Sequence, residues 1–145
     1  MATVDPAMIP FADLLPEVTD LSAPYWEGLA AGELRLQRCR ACGAHQYPPE
    51  SFCYACPSTD LEWTAVDGGG EVYSFIVVHQ RYHPAFAERL PYAVANVRLD
   101  AGPRVLAAML FDDPSAVRIG ARVRPRIEPV TEERAALFFV LDGAG

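Results

Sequence analysis

The order of hydrophobic and polar positions predicts a brief helix followed by strands. Residues 1–21 hold Ile9, Phe11, Leu14 and Leu15 but also Pro6, Pro10 and Pro16. Prolines at this density exclude a regular helix or a central strand. The segment reads as a leader, or as an arm laid extended on another surface. At Ser22-Ala23-Pro24-Tyr25-Trp26-Glu27 the pattern turns helical. Ser22 is the expected cap, Pro24 fits the first turn, and Glu27 suits the positive end of the helix dipole. Gly28 weakens the helix and Gly32 ends it. Tyr25, Trp26 and Leu29 fall on one side, a stripe that suits local core or a docking surface.

From Glu33 the period falls to two. Leu34-Arg35-Leu36-Gln37-Arg38 alternates like a strand and runs into a cysteine segment at 39–57. Beyond Leu61-Glu62-Trp63-Thr64, the turn Asp67-Gly68-Gly69-Gly70 resets the chain. Strand candidates follow at Glu71–His79, Tyr92–Leu99, Arg104–Phe111, Ala121–Glu128 and Ala135–Leu141, most bounded by Gly, Pro or Asp. Asp100-Ala101-Gly102-Pro103 reads as the hairpin turn between the second and third. Five strands in a chain of this size suggest an OB-fold barrel. The expected fold is mainly β: a short N-terminal helix, a four-cysteine ribbon, then a five-stranded OB-fold barrel. The expected division is an arm at 1–21, helix plus ribbon at 22–66, and the barrel at 67–145.

Composition narrows the chemistry. The chain has 145 residues, enough for one domain and a small appendage. Nineteen acidic residues against twelve basic ones give a net charge of −7, which argues against nucleic acid as a partner. All twelve basic residues are arginine, so a Schiff-base lysine, a phosphate-loop lysine and a lysine base are all excluded. No apolar run reaches the ~18–20 residues a bilayer requires. The first residues carry no cationic side chain, unlike a secretory signal. The expectation is a soluble, cytoplasmic protein with no membrane partner, in which structural disulfides are disfavoured.

The cysteines carry the most specific signal. Cys39, Cys42, Cys53 and Cys56 form C-x2-C, ten intervening residues, then C-x2-C. Two residues between cysteines let both thiolates of one turn face a single ion. Two such knuckles supply the tetrahedron of sulfurs that suits zinc. A mononuclear iron site uses the same four sulfurs, so spacing alone leaves iron open. A redox pair would sit at the start of a helix, and no helical pattern follows either pair. With four protein ligands the site is closed to water and therefore structural. Gly43 permits the first tight turn, whereas Pro57 stands after the second pair where glycine is expected.

Other chemistry is thin. His79-Gln80-Arg81-Tyr82-His83 spaces two histidines four apart, but Pro84 follows and only Glu88 stands near as a further ligand. The stretch, with Phe86, reads as a contact loop between strands. His45 lies between the knuckles, where no ligand is missing, and reads as a surface residue. No nucleophile elbow or phosphate loop is present, and no cysteine is left over, so no catalytic residue is assigned. Asp112-Asp113 and Glu132-Glu133 read as solvated turns. Arg122, Arg124 and Arg126 project to one strand face, either as a solvated row balanced by glutamates or as a site for an anion or acidic partner. Pro125 among them predicts an edge or bulged strand.

The ordered motifs are specific. They are Pro24-Tyr25-Trp26-Glu27-Gly28-Leu29, Gly32-Glu33-Leu34-Arg35-Leu36-Gln37-Arg38-Cys39-Arg40-Ala41-Cys42-Gly43, Tyr47-Pro48-Pro49, Cys53-Tyr54-Ala55-Cys56, Gly70-Glu71-Val72-Tyr73-Ser74-Phe75, Pro91-Tyr92 through Asp100, and Ile119-Gly120-Ala121-Arg122-Val123. Together they resemble the rubredoxin-like zinc-ribbon plus OB-fold family found beside acyl-CoA enzymes, catalogued as a domain of unknown function. The resemblance covers roughly residues 22–141. It implies a non-catalytic accessory subunit in a hetero-oligomer with a thiolase-fold enzyme, a thiolase or a side-chain aldolase, whose own cysteine or base does the chemistry on an acyl-CoA thioester. By position the four cysteines match the family's metal ligands. The candidate ligand or partner contacts are Tyr25, Trp26, His79, Arg81, His83, Phe86, Tyr92, Arg122, Arg124 and Arg126. The competing expectations are a free-standing acyl-CoA-binding protein using the arginine row, and a nucleic-acid-binding ribbon/OB module, which the acidic balance opposes.

Overall fold

A computed structural model describes residues 15–80 and 89–143. Helix α1 (Ala23–Ala30) is followed by β1 (Leu34–Cys39), β2 (His45–Gln46), β3 (Leu61–Val66), β4 (Gly70–Val78), β5 (Tyr92–Leu99), β6 (Arg104–Met109), a 3-10 turn at Pro114–Ala116, β7 (Arg122–Pro129) and β8 (Ala135–Leu141). The strands form two antiparallel sheets, one ordered β2-β1-β3 and one β6-β5-β4-β7-β8. Among the described residues no helix is long and apolar enough to cross a membrane.

The start of α1 corrects one expectation. Ser22 makes no side-chain cap to the helix. Its hydroxyl instead accepts from the Thr19 amide at 3.0 Å, while the Thr19 hydroxyl accepts from the Ser22 amide at 3.1 Å. This reciprocal pair has the geometry of a capping box, one turn earlier than the residue types suggested. The other end behaves as expected. Gly32 takes φ +83°, its amide donates to Leu29, and the Glu33 amide reaches back to the Gly28 carbonyl at 2.8 Å. Those two bonds satisfy carbonyls left open by the last turn.

Alternation sets the larger sheet. Along β5 the side chains of Ala93, Ala95, Val97 and Leu99 point inward and are at most 2% exposed, while Val94, Asn96 and Arg98 point outward. In β4 the register against β5 shifts between Val72 and Ser74. This bulge turns Tyr73 and Ser74 both outward and changes the phase, so that Phe75 and Val77 follow Gly70 and Val72 toward the core. The end strands β6 and β8 pack alongside each other. No ladder joins them among the described residues, so the five-stranded barrel is open there.

Of the edge or bulged strand expected from Pro125, the edge alternative does not hold, because β7 lies between β4 and β8. Its ladder to β4 nevertheless ends at Val123, and Pro125 pairs only with Phe139 of β8. The proline's missing donor therefore falls beyond the end of the β4 ladder. One core joins the sheets: Tyr25 and Leu29 of α1 and Leu34 and Leu36 of β1 pack with Val72, Val97, Val105, Val123 and Phe139. A smaller cluster around Val130 and Phe138 takes in Leu15, the first described residue of the N-terminal segment. Residues 1–14 lie outside the described residues.

Candidate metal centre

The first knuckle grows from the end of β1. The Cys39 amide donates to the Ala44 carbonyl at 2.9 Å, and the Gly43 amide donates to the Cys39 carbonyl at 2.8 Å. Gly43 reaches this position with φ +81°, which only glycine adopts without strain. The chain then turns into β2, which pairs with Gln37 and Arg38 of β1. The second knuckle closes with the same spacing, from the Cys53 amide to the Ser58 carbonyl at 2.9 Å. Pro57 occupies the place of Gly43 and so forgoes only the extra amide bond. The Ala55 amide donates to the Cys53 sulfur at 3.3 Å.

All four sulfurs lie within 4.8 Å of one another. Cys39 and Cys56 are separated by 3.6 Å, and Cys42 and Cys53 by 3.7 Å. Zn–S bonds of about 2.3 Å in a tetrahedron require sulfur separations of about 3.8 Å, whereas a disulfide requires about 2.05 Å. The spacing fits an ion and not a bridge. Amides of Cys42 and Ala41, aided by the neighbouring sulfurs, hold the Cys39 thiol at about 6 despite its burial. The Ser58 amide favours the Cys56 thiolate, but desolvation and the other three sulfurs outweigh it and push that thiol up to about 12. Four sulfurs this close need a cation to carry their charge together. Cys39 and Cys53 are buried, and Cys42 is exposed at the rim.

A pair of buried glutamines holds the second knuckle against the first. Gln46 donates from Nε2 to Gln37 Oε1 and to the Phe52 carbonyl, each at 2.9 Å, and its Oε1 accepts from the Tyr54 amide at 2.9 Å. Gln37 accepts from the Glu50 amide and donates to the Glu50 carbonyl. Sequence reasoning missed this pair, since glutamine in an alternating strand reads as an outward position. On the outer side Arg38 meets its cross-strand neighbour Glu62 at 3.0 Å, and Arg40 meets Asp60 at 2.9 Å.

Comparison with known proteins agrees with this geometry. Residues 26–62 match the family described as ChsH2, rubredoxin-like zinc ribbon domain, and residues 63–128 match ChsH2, C-terminal OB-fold domain. A "DUF35 domain-containing scaffold protein" of Methanocaldococcus jannaschii is 30% identical over 97 residues, 66% of this chain and 68% of that protein. The chain belongs to the DUF35 family. It superposes on a chain of a solved structure described as "Ltp2-ChsH2(DUF35) aldolase" with a TM-score of 0.78 and 32% identity, covering 88% of this chain and 98% of the other. The "3-oxo-4,17-pregnadiene-20-carboxyl-CoA hydratase alpha subunit" of Mycobacterium tuberculosis is 34% identical over 115 residues, 79% of this chain. The chain spans about a third of the length of such hydratase subunits. The ribbon match and the sulfur geometry together assign the four cysteines of this DUF35 chain to a structural zinc ion.

The other candidate residues of the DUF35 chain do not gather at one place. Tyr25 and Tyr92 are buried at 7% and 8% exposure, and desolvation raises the Tyr25 phenol well above its ordinary range. Trp26 is half-buried, with the Arg134 guanidinium 4.5 Å from its ring centre. His79 is exposed at the end of β4, while Arg81, His83, Phe86 and Glu88 lie outside the described residues. The arginine row is compensated: Arg122 makes a two-pronged pair with Asp100 at 2.9 and 2.6 Å, Arg124 faces Asp142 at 3.7 Å, and Arg126 meets Glu128 at 2.6 Å. His45 is half-buried rather than a surface residue, its Nε2 3.2 Å from the Thr64 hydroxyl. Two carboxylates read as solvated turns have fixed partners. Asp112 accepts from the Leu141 amide, and Asp113 caps the 3-10 turn at Ser115.

Proposed function

We propose that this chain is a non-catalytic accessory subunit of a thiolase-type or aldolase complex acting on acyl-CoA thioesters, as in steroid side-chain or aromatic-acid breakdown. The observation that carries this reading is the superposition that covers 98% of a chain from the ChsH2(DUF35) aldolase structure. The hydratase subunit relative, named for a steroid carboxyl-CoA, supports the thioester class. The chain's own sulfurs support the accessory role, since all four are gathered into one closed cluster. The partner is a thiolase-fold subunit that brings the cysteine or base, and the assembly is a cytoplasmic hetero-oligomer. Within this reading residues 22–66 act as the ribbon unit, 67–145 as the barrel and 1–21 as the arm. The segment between His79 and Pro91 carries the partner or acyl-CoA contacts in this reading. The pairing of Arg122, Arg124 and Arg126 with carboxylates speaks against a free-standing acyl-CoA binder that relies on that row.

Co-expression with a thiolase-fold subunit from the same genome tests the proposal. The two should elute together on size exclusion, and cleavage of an acyl-CoA substrate should require both. Two proteins that elute apart, with the partner fully active alone, would overturn it.

A further inference from the structure

The four sulfurs of the metal centre differ in their surroundings. Cys39 and Cys53 are buried and Cys56 is half-buried, while Cys42 is exposed. Amides reach three of the four. Those of Cys42 and Ala41 bond the Cys39 sulfur, the Ala55 amide donates to Cys53 at 3.3 Å, and the Ser58 amide serves Cys56. Among the described residues no amide donates to the Cys42 sulfur, which stands 3.7 Å from that of Cys53.

The difference follows from the fold. Cys39 ends β1 on the buried side of the strand, and Gln46 ties down the backbone on both sides of Cys53. Cys42 lies instead in the turn between β1 and β2, where its chain neighbours Ala41, Gly43 and Ala44 are too small to cover it. Both features bear on reactivity. A thiolate reacts through its sulfur, and attack requires access. An N–H bond to the sulfur stabilises the anion, and a stabilised thiolate is a weaker nucleophile. Cys42 has the access and lacks that restraint. A second sulfur within reach completes the arrangement of an oxidation-sensitive cysteine.

We infer that Cys42 is a modification site, the sulfur through which a hydroperoxide oxidises the metal centre and unloads it. The Cys42 thiolate attacks one oxygen of ROOH and the O–O bond breaks. A sulfenic acid forms at Cys42, and the departing alkoxide takes a proton and leaves as ROH. The Cys53 thiolate then attacks the Cys42 sulfur, forming a disulfide and expelling hydroxide, which a second proton converts to water. Two thiolates, one hydroperoxide and two protons thus give one disulfide, one alcohol and one water. The sulfurs lose two electrons and the peroxide gains them. Cys39 and Cys56 remain as thiolates, too few for a closed tetrahedral site. The inference concerns the metal centre alone and does not depend on the accessory role.

The experiment treats the zinc-loaded full chain with less than one equivalent of N-ethylmaleimide and, separately, with hydrogen peroxide. Peptide mass spectrometry maps the products while a chromogenic chelator reports free zinc. Maleimide should label Cys42 at least about fivefold more than any other cysteine, since access sets the rate. Peroxide should release zinc in step with disulfide formation, with Cys42–Cys53 as the main bridge. Cys42→His keeps a fourth ligand, in a set of three cysteines and one histidine, and should hold zinc yet release it at least about tenfold more slowly under peroxide. If that variant fails to load zinc, the labelling map of the wild type still decides. Equal labelling of the four cysteines, first modification at Cys39, Cys53 or Cys56, or a main bridge without Cys42 overturns the inference. So does a zinc-loaded Cys42→His that releases metal as fast as the wild type. None of these results bears on whether the chain joins a thiolase-fold partner, which the co-elution experiment decides separately.

Discussion

Gln46 is only 4% exposed, yet it holds three partners, and two of them belong to the backbone on either side of Cys53. Removing its amide leaves the part-buried Tyr54 N–H and Phe52 carbonyl without their bonds. Each such orphan costs on the order of 1–3 kcal/mol. Gln46→Ala should therefore lose about 2–3 kcal/mol in urea unfolding of the zinc-loaded protein. It should also release zinc to a chelator faster than the wild type, because the second knuckle loses its tie to the first. An unchanged release rate would show that the sulfurs alone position that knuckle. Asp100 offers a different kind of test. Its hydrogen bonds to Arg122 hold the carboxyl below the usual carboxylate range. A carboxylate lowered by folding contributes stability that is complete above its unfolded value and is lost as pH falls through the folded one. The difference in melting temperature between the wild type and Asp100→Asn should thus be present at neutral pH and close in acid. Metal content followed in both proteins at each pH separates zinc loss from the titration of Asp100. A gap of constant size across the titration would rule out the pair as its source.

Among the elements, the metal segment is the one whose order depends on something other than burial. Residues 40–60 supply three of the four sulfurs, Cys42, Cys53 and Cys56, and the buried Gln46, while Tyr47 alone among them packs against the main core. Chelation should therefore free these residues first. In hydrogen exchange, amides of 40–60 should lose more protection on zinc removal than those of β5 and β6; equal loss in all three would show that the ion supports the whole barrel as much as its own segment. How far such elements are legible in the sequence depends on how strictly they alternate. β5 and β8 were readable to the residue, since β5 lies between Pro91 and the Asp100-Ala101-Gly102 turn and alternates from Ala93 on, and β8 ends in a dense apolar run. β4 was located but not its facing, because a bulge at Tyr73 leaves no mark in composition and reverses which side chains go inward. The metal ligands were legible from spacing alone. The glutamine tie was not, since it joins residues nine apart whose polarity suggested solvent. The arginine row was placed on one face, but its carboxylate partners Asp100 and Asp142 come from turns that no local pattern could bring there.

At the scale of the molecule, the sheets are joined through β1 and α1. Leu36 is 1% exposed and belongs to the cluster that holds Val97 and Phe139, although its strand carries Cys39 at its end. A ribbon that merely hung from the barrel would be free to loosen without consequence. This arrangement instead makes β1 a shared wall, with its leucines in the common core and its final cysteine in the metal site. The consequence is cooperative: damage to the ribbon side of the core must be felt in the barrel. Leu36→Ala removes buried methyl groups and leaves a cavity, which costs about 2–5 kcal/mol at fully buried leucines. The zinc-loaded variant should melt in a single transition at lower temperature. Its β5 amides should lose exchange protection in proportion, as expected when one global opening governs both sheets. Two separated transitions, or β5 protection that does not change, would mean that the sheets unfold independently. If the cooperative outcome holds, a partner that grips only the ribbon also stabilises the barrel, because any ligand that binds the folded state alone shifts the whole equilibrium.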